Sequence, residues 1–231
     1  MTGISSTAFA AEPPKTTCLK MNALGAISED LEYIGRNFKA LMDNSGICVE
    51  ILNIPWERSI EMLRDREIDG FVVLSEEFEP IIENFTVQVE VPFGRTDTQI
   101  VFWPHQDVEI KSVGIIRGNK WAQRLLNLNP PPLLASSYTL VEGRTYENLF
   151  SLLSRNRIQA IIGTVSGTQS SNIDRLGLAT KHLGVLYGYT YLHKNQSRYA
   201  SLISKVYRSY TDKGCVLLDR RGIKESCLPT N

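Results

Sequence analysis

The sequence lacks any long apolar run and any excess of charge. No window reaches the about 18 consecutive apolar residues that a membrane-spanning helix needs, so no transmembrane segment is predicted. The chain has 25 basic and 25 acidic residues spread along its length, and its formal net charge is zero. Nucleic acids and anionic membranes are bound by basic patches, so we expect neither as a partner. A small or neutral partner is the better expectation.

Motifs for metals, nucleotides and nucleophilic catalysis are also missing. The three histidines, His105, His182 and His193, are scattered, and no two cysteines have CxxC spacing, which argues against zinc. The segments GIIRGNK and GTVSGT contain glycine turns, but they have neither the spacing nor the lysine of a phosphate loop. We therefore expect no cofactor, no metal and no catalytic residues.

Cysteine is scarce but evenly arranged. Cys18 and Cys48 lie in the first quarter of the chain, and Cys215 and Cys227 lie at its end. Such local pairs are typical of disulfides formed in an oxidising compartment, so we predict the bonds Cys18–Cys48 and Cys215–Cys227. Cys18 and Cys48 fall near the beginnings of two predicted strands, which can be bridged if the strands are neighbours. The alternative is four reduced cysteines in the core.

The N-terminus has the pattern of a signal-peptidase site. Ala8, Phe9 and Ala10 form the small-x-small triplet that precedes cleavage. We expect residues 1–14 to be the tail of a secretion signal and a linker, which predicts a secreted protein. The alternative is an ordinary flexible terminus.

One stretch of the chain, Pro55–Leu74, is echoed by Thr145–Thr164 at a constant offset. Each copy has the pattern of an amphipathic helix, a tight turn and an apolar strand. Two such copies in a chain of this length predict two similar α/β lobes. The aligned pairs are Trp56 with Tyr146, Glu57 with Glu147, Ile60 with Phe150, Leu63 with Leu153 and Ile68 with Ile158.

The remaining periodicity extends each copy into a βαβαβ order with short connections, which predicts a parallel sheet in each lobe. Between the lobes the helical rhythm lapses, and β-rich runs are predicted to connect them at Phe85–Phe93, Thr98–Trp103 and Gly184–Leu192. In the second lobe, a helix is predicted to begin at Ser166 and to end near Leu176. A final helix from about Ser197 to Asp212 is predicted to close the sheet of the first lobe.

Four phrases, in order, resemble type II periplasmic solute-binding proteins, in particular the family 3 extracellular solute-binding proteins that serve ABC importers. The resemblance runs from Thr16 onward. It implies an α/β fold of two lobes, each a mainly parallel sheet flanked by helices, that close on a solute. The phrases are PWERSIEMLRDREIDG at Pro55–Gly70, VGIIRGNKWAQRLL at Val113–Leu126, NLFSLLSRNRIQAII at Asn148–Ile162 and YLHKNQSRYASLISKVYRSYTDKG at Tyr191–Gly214.

The resemblance also implies a domain division and a set of partners. Lobe I is expected at residues 15–103 plus 190–231, and lobe II at residues 104–189. The expected partners of a monomeric chain are a small-molecule solute and either an ABC-transporter membrane permease or a membrane receptor. The alternatives are a free-standing sensory or partner-docking protein on this fold and a dehydratase-like enzyme, which would need a cleft acid or base such as Glu76, Glu77 or His105.

Candidate ligand contacts are the residues expected beyond the carboxyl ends of the strands, where open α/β sheets bind ligands. Trp56 would stack on a flat ligand face, or else pack in the core at the first turn of its helix. Arg117 and the amides after Gly118 would hold a carboxylate or phosphate, or else form a surface arginine and a helix cap. The candidates are Asn22, Leu24, Trp56, Arg58, Ser75, Glu76, Arg117, Asn119, Tyr138 and Thr164.

The chain lacks the residues with which the family's amino-acid binders hold the α-carboxylate and the α-amino group of their ligand. The arginine that clamps the α-carboxylate is absent from Leu74–Phe85, which is acidic instead, and the aspartate for the amino group is absent from IIGTVSGT. Glu76 and Glu77 would repel a carboxylate, so an ordinary α-amino acid is not expected. Glu76 would favour a cationic or hydroxyl-rich ligand, or else be a solvated loop acid.

The family's turn glycine is replaced by Arg66 in one copy and by Asn156 in the other. If the left-handed geometry is kept, Asn156 tolerates it readily and Arg66 is strained by about 1 kcal/mol.

Overall fold

The computed structural model of this 231-residue chain describes residues 18–23, 32–104, 109–128, 130–168 and 171–217. The predicted signal remnant, Leu24, His105 and Cys227 lie outside these ranges. Within them, no helix has both the length and the apolar character that a membrane crossing requires.

The first part of the described chain has the predicted βαβαβ order. It continues through a 3-10 turn, a short helix and two further strands that lead toward the second part. The elements are β1 (Leu19–Asn22), α1 (Glu32–Asn44), β2 (Val49–Leu52), α2 (Trp56–Arg64), β3 (Gly70–Ser75), the 3-10 turn Glu76–Phe78, α3 (Glu79–Ile82), β4 (Thr86–Gln88) and β5 (Gly94–Phe102).

The second part repeats the order and returns to the first. Within the described residues, the predicted helix from Ser166 corresponds to the short helices Val165–Thr168 and Ser171–Leu176, and the last strand begins earlier than predicted. The elements are β6 (Ile110–Ile116), α4 (Lys120–Leu128), β7 (Leu134–Gly143), α5 (Tyr146–Ser154), β8 (Ala160–Thr164), α6 (Val165–Thr168), α7 (Ser171–Leu176), β9 (Ala179–His193), the 3-10 turn Lys194–Gln196 and α8 (Arg198–Thr211).

The strands of the described residues pair in the order β2-β1-β3-β9-β5-β8-β6-β7, with β4 added beside β9. Within the first half, β1 is parallel to β2 and β3. Within the second half, β6 is parallel to β7 and β8. Both central strands, β5 and β9, are antiparallel to each other and to their outer neighbours. The predicted α/β class with two mainly parallel halves is confirmed.

Two strands cross between the halves. Strand β3 ends at Ser75, which pairs with Gly188 of β9. Strand β8 ends at Thr164, which pairs with Thr98 of β5, and Thr98 in turn pairs with Gly184 of β9. Because β3 and β8 reach these positions from opposite directions, the carboxyl edges of the two halves face each other. The short connection between them, residues 94–98 of β5 and 184–188 of β9, is called the crossing segment below.

Hydrophobic clusters cover both faces of each half. In the first half, one cluster joins Phe38 of α1 to Tyr207 of α8, and another packs α2 against β3. In the second half, one packs Trp121 of α4 against the sheet, and another packs Phe150 of α5. Parallel sheets are stable when both of their faces are covered. The clusters cover both faces in each half separately, so each half has a hydrophobic core of its own.

The predicted disulfide Cys18–Cys48 is confirmed, with a Cα–Cα distance of 4.6 Å. It joins the beginnings of the neighbouring strands β1 and β2, where Leu19 N–H also donates to the Cys48 carbonyl oxygen at 2.9 Å. Cys215 is itself disulfide-bonded. Its pairing with Cys227 stays a prediction, because Cys227 lies outside the described residues.

The two echoed helices end in the same way. Helices α2 and α5 each have 9 residues, and each is followed by a left-handed residue, Arg66 with φ 65° or Asn156 with φ 55°. The backbone N–H of Arg66 donates to the carbonyl oxygen of Leu63, and that of Asn156 donates to the carbonyl oxygen of Leu153. The two similar sequence stretches therefore end their helices with the same backbone geometry. Arg66 has the left-handed backbone for which we expect strain.

We expect Arg66→Gly to stabilise the protein by about 0.5–1 kcal/mol, because glycine adopts the left-handed backbone without a Cβ penalty. The matched substitution Asn156→Gly should give less than half of that gain, since asparagine tolerates this conformation. Urea denaturation measures both free energies of unfolding. Destabilisation by Arg66→Gly would contradict the assignment of strain.

Candidate functional site

The carboxyl edge of the first half begins at Asn22, which is fully buried at the end of β1. Its Nδ2 donates to the Ile54 carbonyl oxygen at 3.0 Å, and its Oδ1 accepts from the Ile54 N–H at 2.9 Å. Both ends of the amide are therefore used to hold the segment that leads into α2. The structure supports Asn22 as a residue that positions this segment, and its contact with a ligand stays a prediction.

Trp56 begins α2 and is half-buried. Its ring centroid lies 4.7 Å from that of Phe78 and 5.6 Å from that of Phe71. The indole thus fills the space between the start of α2 and the 3-10 turn after β3. One side packs in the core while the residue keeps partial exposure, which is the environment of an aromatic side chain that can support a ligand. Arg58, on the same helix, is exposed.

Glu76 joins three elements at the end of β3. Its carboxylate accepts a hydrogen bond from the Tyr189 hydroxyl of β9 and lies 3.9 Å from Arg124 Nη1 of α4. Burial, followed by the nearby charge of Glu76, raises the pKa of Tyr189, so the phenol stays protonated and donates. The preceding residue, Ser75, is half-buried. Glu76 is therefore placed between the two halves.

Glu77 differs from Glu76 in its surroundings. Its Oε2 atom is buried and accepts no hydrogen bond from the residues that the structure describes. Buried carboxylate oxygens normally have a donor, so an oxygen without one is an unusual feature that calls for an explanation.

The carboxyl edge of the second half begins at Arg117. Its Nε lies 3.4 Å from Glu142 Oε2, and the two side chains are 64% and 51% exposed. An exposed pair of this kind is weak, so Arg117 can exchange its partner for an anionic group. Gly118 follows with φ 81°, and Asn119 is half-buried just before α4.

Tyr146 fills the rest of this edge. It is the counterpart of Trp56 at the first position of α5, and its hydroxyl hydrogen-bonds to Thr164. A Cβ at Gly163 or at Gly167 would come closer than 3.0 Å to the Tyr146 ring. The Thr164 Oγ1 also accepts from the Gly167 N–H at 3.1 Å. Thr164 is thus held in place by Tyr146 and by the backbone of Gly167. Burial raises the pKa of Tyr146.

Tyr138 lies away from the other candidates. It precedes Thr139, which pairs with Ser112 near the beginning of β6, whereas Arg117 follows the end of that strand. Its hydroxyl donates to Asn127 Oδ1 at 3.3 Å, which ties β7 to the end of α4. Tyr138 is therefore not carried into the site described below, and Leu24 lies outside the described residues.

A cavity of about 180 Å³ lies against the crossing segment. We call it the crossing pocket. Three elements line it, namely the 3-10 turn after β3, helix α4 and strand β9. Its residues are Glu76, Glu77, Arg124, Leu125, Leu128, Val185, Leu186 and Tyr187. The part of the chain that the structure describes contains no group of three side chains suited to a metal ion.

Most of the crossing pocket was not predictable from the sequence. Of its residues, only Glu76 was a predicted ligand contact, and Glu77 was named as a charge that repels carboxylates and as an acid or base for the enzyme alternative. Arg124, Leu125 and Leu128 occupy one side of an ordinary amphipathic helix, and nothing in the local pattern shows that this side borders the crossing segment. The one available signal was the pair of acids that stands where the family has an arginine.

Two half-sheets of opposite direction, joined by two antiparallel strands, define the two-lobe fold of type II periplasmic solute-binding proteins. The chain has this fold. Three similar solved structures share this fold. The periplasmic VFT2 domain of BvgS from Bordetella pertussis has a TM-score of 0.62 and 16% identity, covering 85% of this chain and 89% of that chain.

The ligand-binding core of GluR0 in complex with L-glutamate has a TM-score of 0.63 and 13% identity, covering 86% of this chain and 94% of that chain. The arginine-, lysine-, histidine-binding protein ArtJ from Geobacillus stearothermophilus has a TM-score of 0.58 and 14% identity, covering 86% and 91%. No protein-family model and no curated protein matches the sequence. At these identities the likeness confirms the predicted fold.

Proposed function

We propose that the chain is a periplasmic solute-binding protein that captures a small polar solute between its lobes and presents it to an ABC-importer permease. The observation that carries this proposal is the pair of carboxyl edges that face each other across the crossing segment. Open α/β sheets bind ligands beyond these edges, and the edges here carry Trp56, Ser75 and Glu76 on one side and Arg117, Asn119 and Thr164 on the other.

Closure around a hinge is the motion that this connection favours. The proposed lobes are residues 15–103 plus 190–231 and residues 104–189. The described residues form two halves with separate cores, Ile100 and Val101 of β5 packing in the second half, and the halves are joined through β5 and β9. Two strands resist bending less than a packed interface does, so a solute that contacts both edges would draw the lobes together. The closed state would then bury most of the surface of a small molecule.

The residues at the site argue against an ordinary α-amino acid as the solute. ArtJ binds arginine, lysine and histidine, as its name states. This chain places Glu76 and Glu77 after β3, in the stretch where the amino-acid binders it resembles carry a carboxylate-binding arginine. A ligand carboxylate would be repelled there.

The proposed location outside the cytosol is supported by the disulfides. Cys18 and Cys48 are bonded, Cys215 is bonded as well, and such bonds persist in oxidising compartments. The signal-peptidase pattern at Ala8–Ala10 points the same way.

A sensory role on the same fold is the second candidate. It is favoured by the similarity to the VFT2 domain of BvgS. Uptake of the solute by cells separates the two roles. Deletion of an importer's binding protein abolishes uptake, whereas deletion of a sensor leaves the transport step intact.

A thermal-shift screen tests the proposal. Purified protein is heated with amines, polyamines, sugars, organic acids and α-amino acids. A solute that binds only the folded state raises the Tm by mass action, and we expect selective stabilisation by one class other than α-amino acids. Consumption of a compound without any shift would support an enzyme on this scaffold instead.

We expect Trp56→Ala to weaken binding of the stabilising solute by about tenfold, the effect of losing one good aromatic contact of about 1–1.5 kcal/mol. Trp56→Phe keeps a ring against Phe71 and Phe78 and should lose much less. Titration calorimetry below the Tm of each variant measures the two affinities. Equal affinity of Trp56→Ala and the unchanged protein would restrict Trp56 to a core role.

A further inference from the structure

We propose that Gln99 is a positioning residue for the solute site: it holds the turn that carries Thr164 and bonds this turn to a strand that crosses between the lobes. The turn, residues 163–168 at the end of β8 and in α6, is called the β8 turn below. The inference rests on the proposed function, because it concerns the second-lobe edge of the same site. Its evidence is a series of buried hydrogen bonds that begins at β5.

Gln99 is a polar residue in a buried position of β5. It is 9% exposed, and the next two residues of the strand, Ile100 and Val101, are 1% and 0% exposed. A buried amide lowers stability unless it is hydrogen-bonded, whereas an apolar side chain of similar shape needs no partner. Packing alone therefore does not account for a glutamine at this position, and its hydrogen bond is the feature to explain.

The Gln99 amide is bonded to the β8 turn through Thr168, which is fully buried. Gln99 Nε2 donates to Thr168 Oγ1 at 2.7 Å, and this hydroxyl donates in turn to the Thr164 carbonyl oxygen at 2.8 Å. A hydroxyl has one proton, so after its bond to Thr164 the Thr168 Oγ1 can only accept, and Gln99 is its donor. Hydrogen bonds in such a series strengthen one another in a low-dielectric interior. The series therefore fixes the end of α6 against β5.

The side chain of Thr164 depends on the same turn. The ladder with β5 fixes the backbone of Thr164, but its Oγ1 accepts from the Gly167 N–H of α6 at 3.1 Å. Gly167 directly precedes Thr168, so the bond from Gln99 also sets where this N–H lies. The Tyr146 ring closes the turn from another side, since a Cβ at Gly167 would come closer than 3.0 Å to it.

A register shift between β5 and β9 separates Gln99 from its neighbour Thr98. Thr98 Oγ1 donates to the Gly184 carbonyl oxygen of β9 at 2.9 Å, whereas Gln99 donates to the β8 turn. Irregularities of this kind re-aim side chains within a strand. Gln99 is the first residue of β5 beyond the crossing segment, so the β8 turn is bonded to the point where that segment ends.

The bond keeps the β8 turn together with this end of the crossing segment during lobe closure. We expect the turn and Gln99 to move as one body while residues 94–98 and 184–188 bend. A solute that contacts Thr164 then meets a turn that is already ordered, and its affinity is not reduced by the entropy cost of ordering it. Loss of the Gln99 bond should therefore lower the affinity for the solute.

Amide hydrogen exchange of the protein without solute tests whether Gln99 holds the β8 turn. Gln99→Leu and Thr168→Val remove the same bond from its two ends, and each should raise the exchange rate of the turn about three- to tenfold, the equivalent of one neutral hydrogen bond. Thr168→Ser keeps the hydroxyl and should leave the rate unchanged. So should Gln88→Leu, which removes a comparable bond of the first half, from Gln88 Nε2 to the Tyr191 hydroxyl at 3.0 Å. Unchanged exchange in both Gln99→Leu and Thr168→Val would overturn the inference.

Titration calorimetry with the compound that gives the largest shift in the thermal-shift screen tests whether the turn matters for binding. The double variant Gln99→Leu with Thr168→Val replaces both partners by apolar groups of similar shape, so its stability in urea should stay close to that of the unchanged protein. Its affinity should still fall about three- to tenfold, and no further than in either single variant, because all three lack the same bond. An unchanged affinity in the folded double variant would show that the bond serves the fold alone and would overturn the positioning role.

The two measurements separate this inference from the proposed function. If a compound binds and compacts the protein while Gln99→Leu changes neither its affinity nor the exchange of the β8 turn, the solute-binding function stands and the inference is wrong. If no compound binds, the function fails, and the positioning role fails with it even where the exchange rates show that Gln99 holds the turn.

Discussion

Replacing Cys18 and Cys48 together by serine is expected to lower the free energy of unfolding by about 3–4 kcal/mol. The bond spans a sequence separation of 30 residues, and a bond that closes a loop of that length removes about this much chain entropy from the unfolded state. The loss is large beside the about 5–15 kcal/mol of a typical domain. Urea denaturation of the double variant and of the oxidised protein measures it.

The control is each single serine variant, which loses the same bond and should match the double variant within about 1 kcal/mol. A double variant as stable as the oxidised protein would mean that the bond contributes nothing to the fold. The bond would then support neither the stability argument nor the proposed oxidising location.

Replacing Gly70 by alanine is expected to cost about 3 kcal/mol, at the upper end of what overpacking usually costs. A Cβ at Gly70 would come closer than 3.0 Å to the backbone carbonyl oxygen of Tyr191. Residue 70 pairs with Leu192 of β9, so relief would require the backbone of the central strand to move. The same strand forms part of the crossing segment.

Gly143→Ala is the matched control. Its Cβ would also meet a neighbour closer than 3.0 Å, but that neighbour is the Leu149 side chain. A side chain can change its rotamer while a paired backbone cannot, so the control should cost less than half as much. Equal costs in urea denaturation would show that the approach of β9 to Gly70 is not rigid.

The internal echo explains why so much of the fold was predictable. Its amphipathic spacing predicted helices at Trp56 and at Tyr146, and α2 and α5 begin at those residues. Arg66 and Asn156 replace the family's turn glycine, and the left-handed geometry that the sequence analysis considered for them is present, since both residues have positive φ. These features depend on neighbours within one or two turns, so the local sequence contains them.

Features that depend on distant contacts were predicted less well. Strand β9 begins at Ala179, whereas Gly184 was the predicted start, because residues 179–182 pair with β5 along its whole second half. The segment after β3 was read as an acidic loop, but it forms a 3-10 turn and α3. Its geometry follows from packing of Phe78 on Trp56, which no local pattern indicates.

The site shows the same division. The resemblance led to the residues of the facing edges, because those residues follow predicted strands. It did not reveal that the Asn22 amide is held by Ile54, nor that Arg124 approaches Glu76 from another lobe. The contact between Arg124 and Glu76 depends on how α4 packs against the crossing segment. This is a tertiary contact, which the local sequence does not indicate.

Small-angle X-ray scattering with and without a saturating solute from the thermal-shift screen tests the central claim most directly. Two lobes that close on a solute across the crossing segment predict a smaller radius of gyration when the solute is bound. A radius of gyration that stays unchanged, in a sample whose occupancy is confirmed by calorimetry, would contradict capture of the solute by lobe closure.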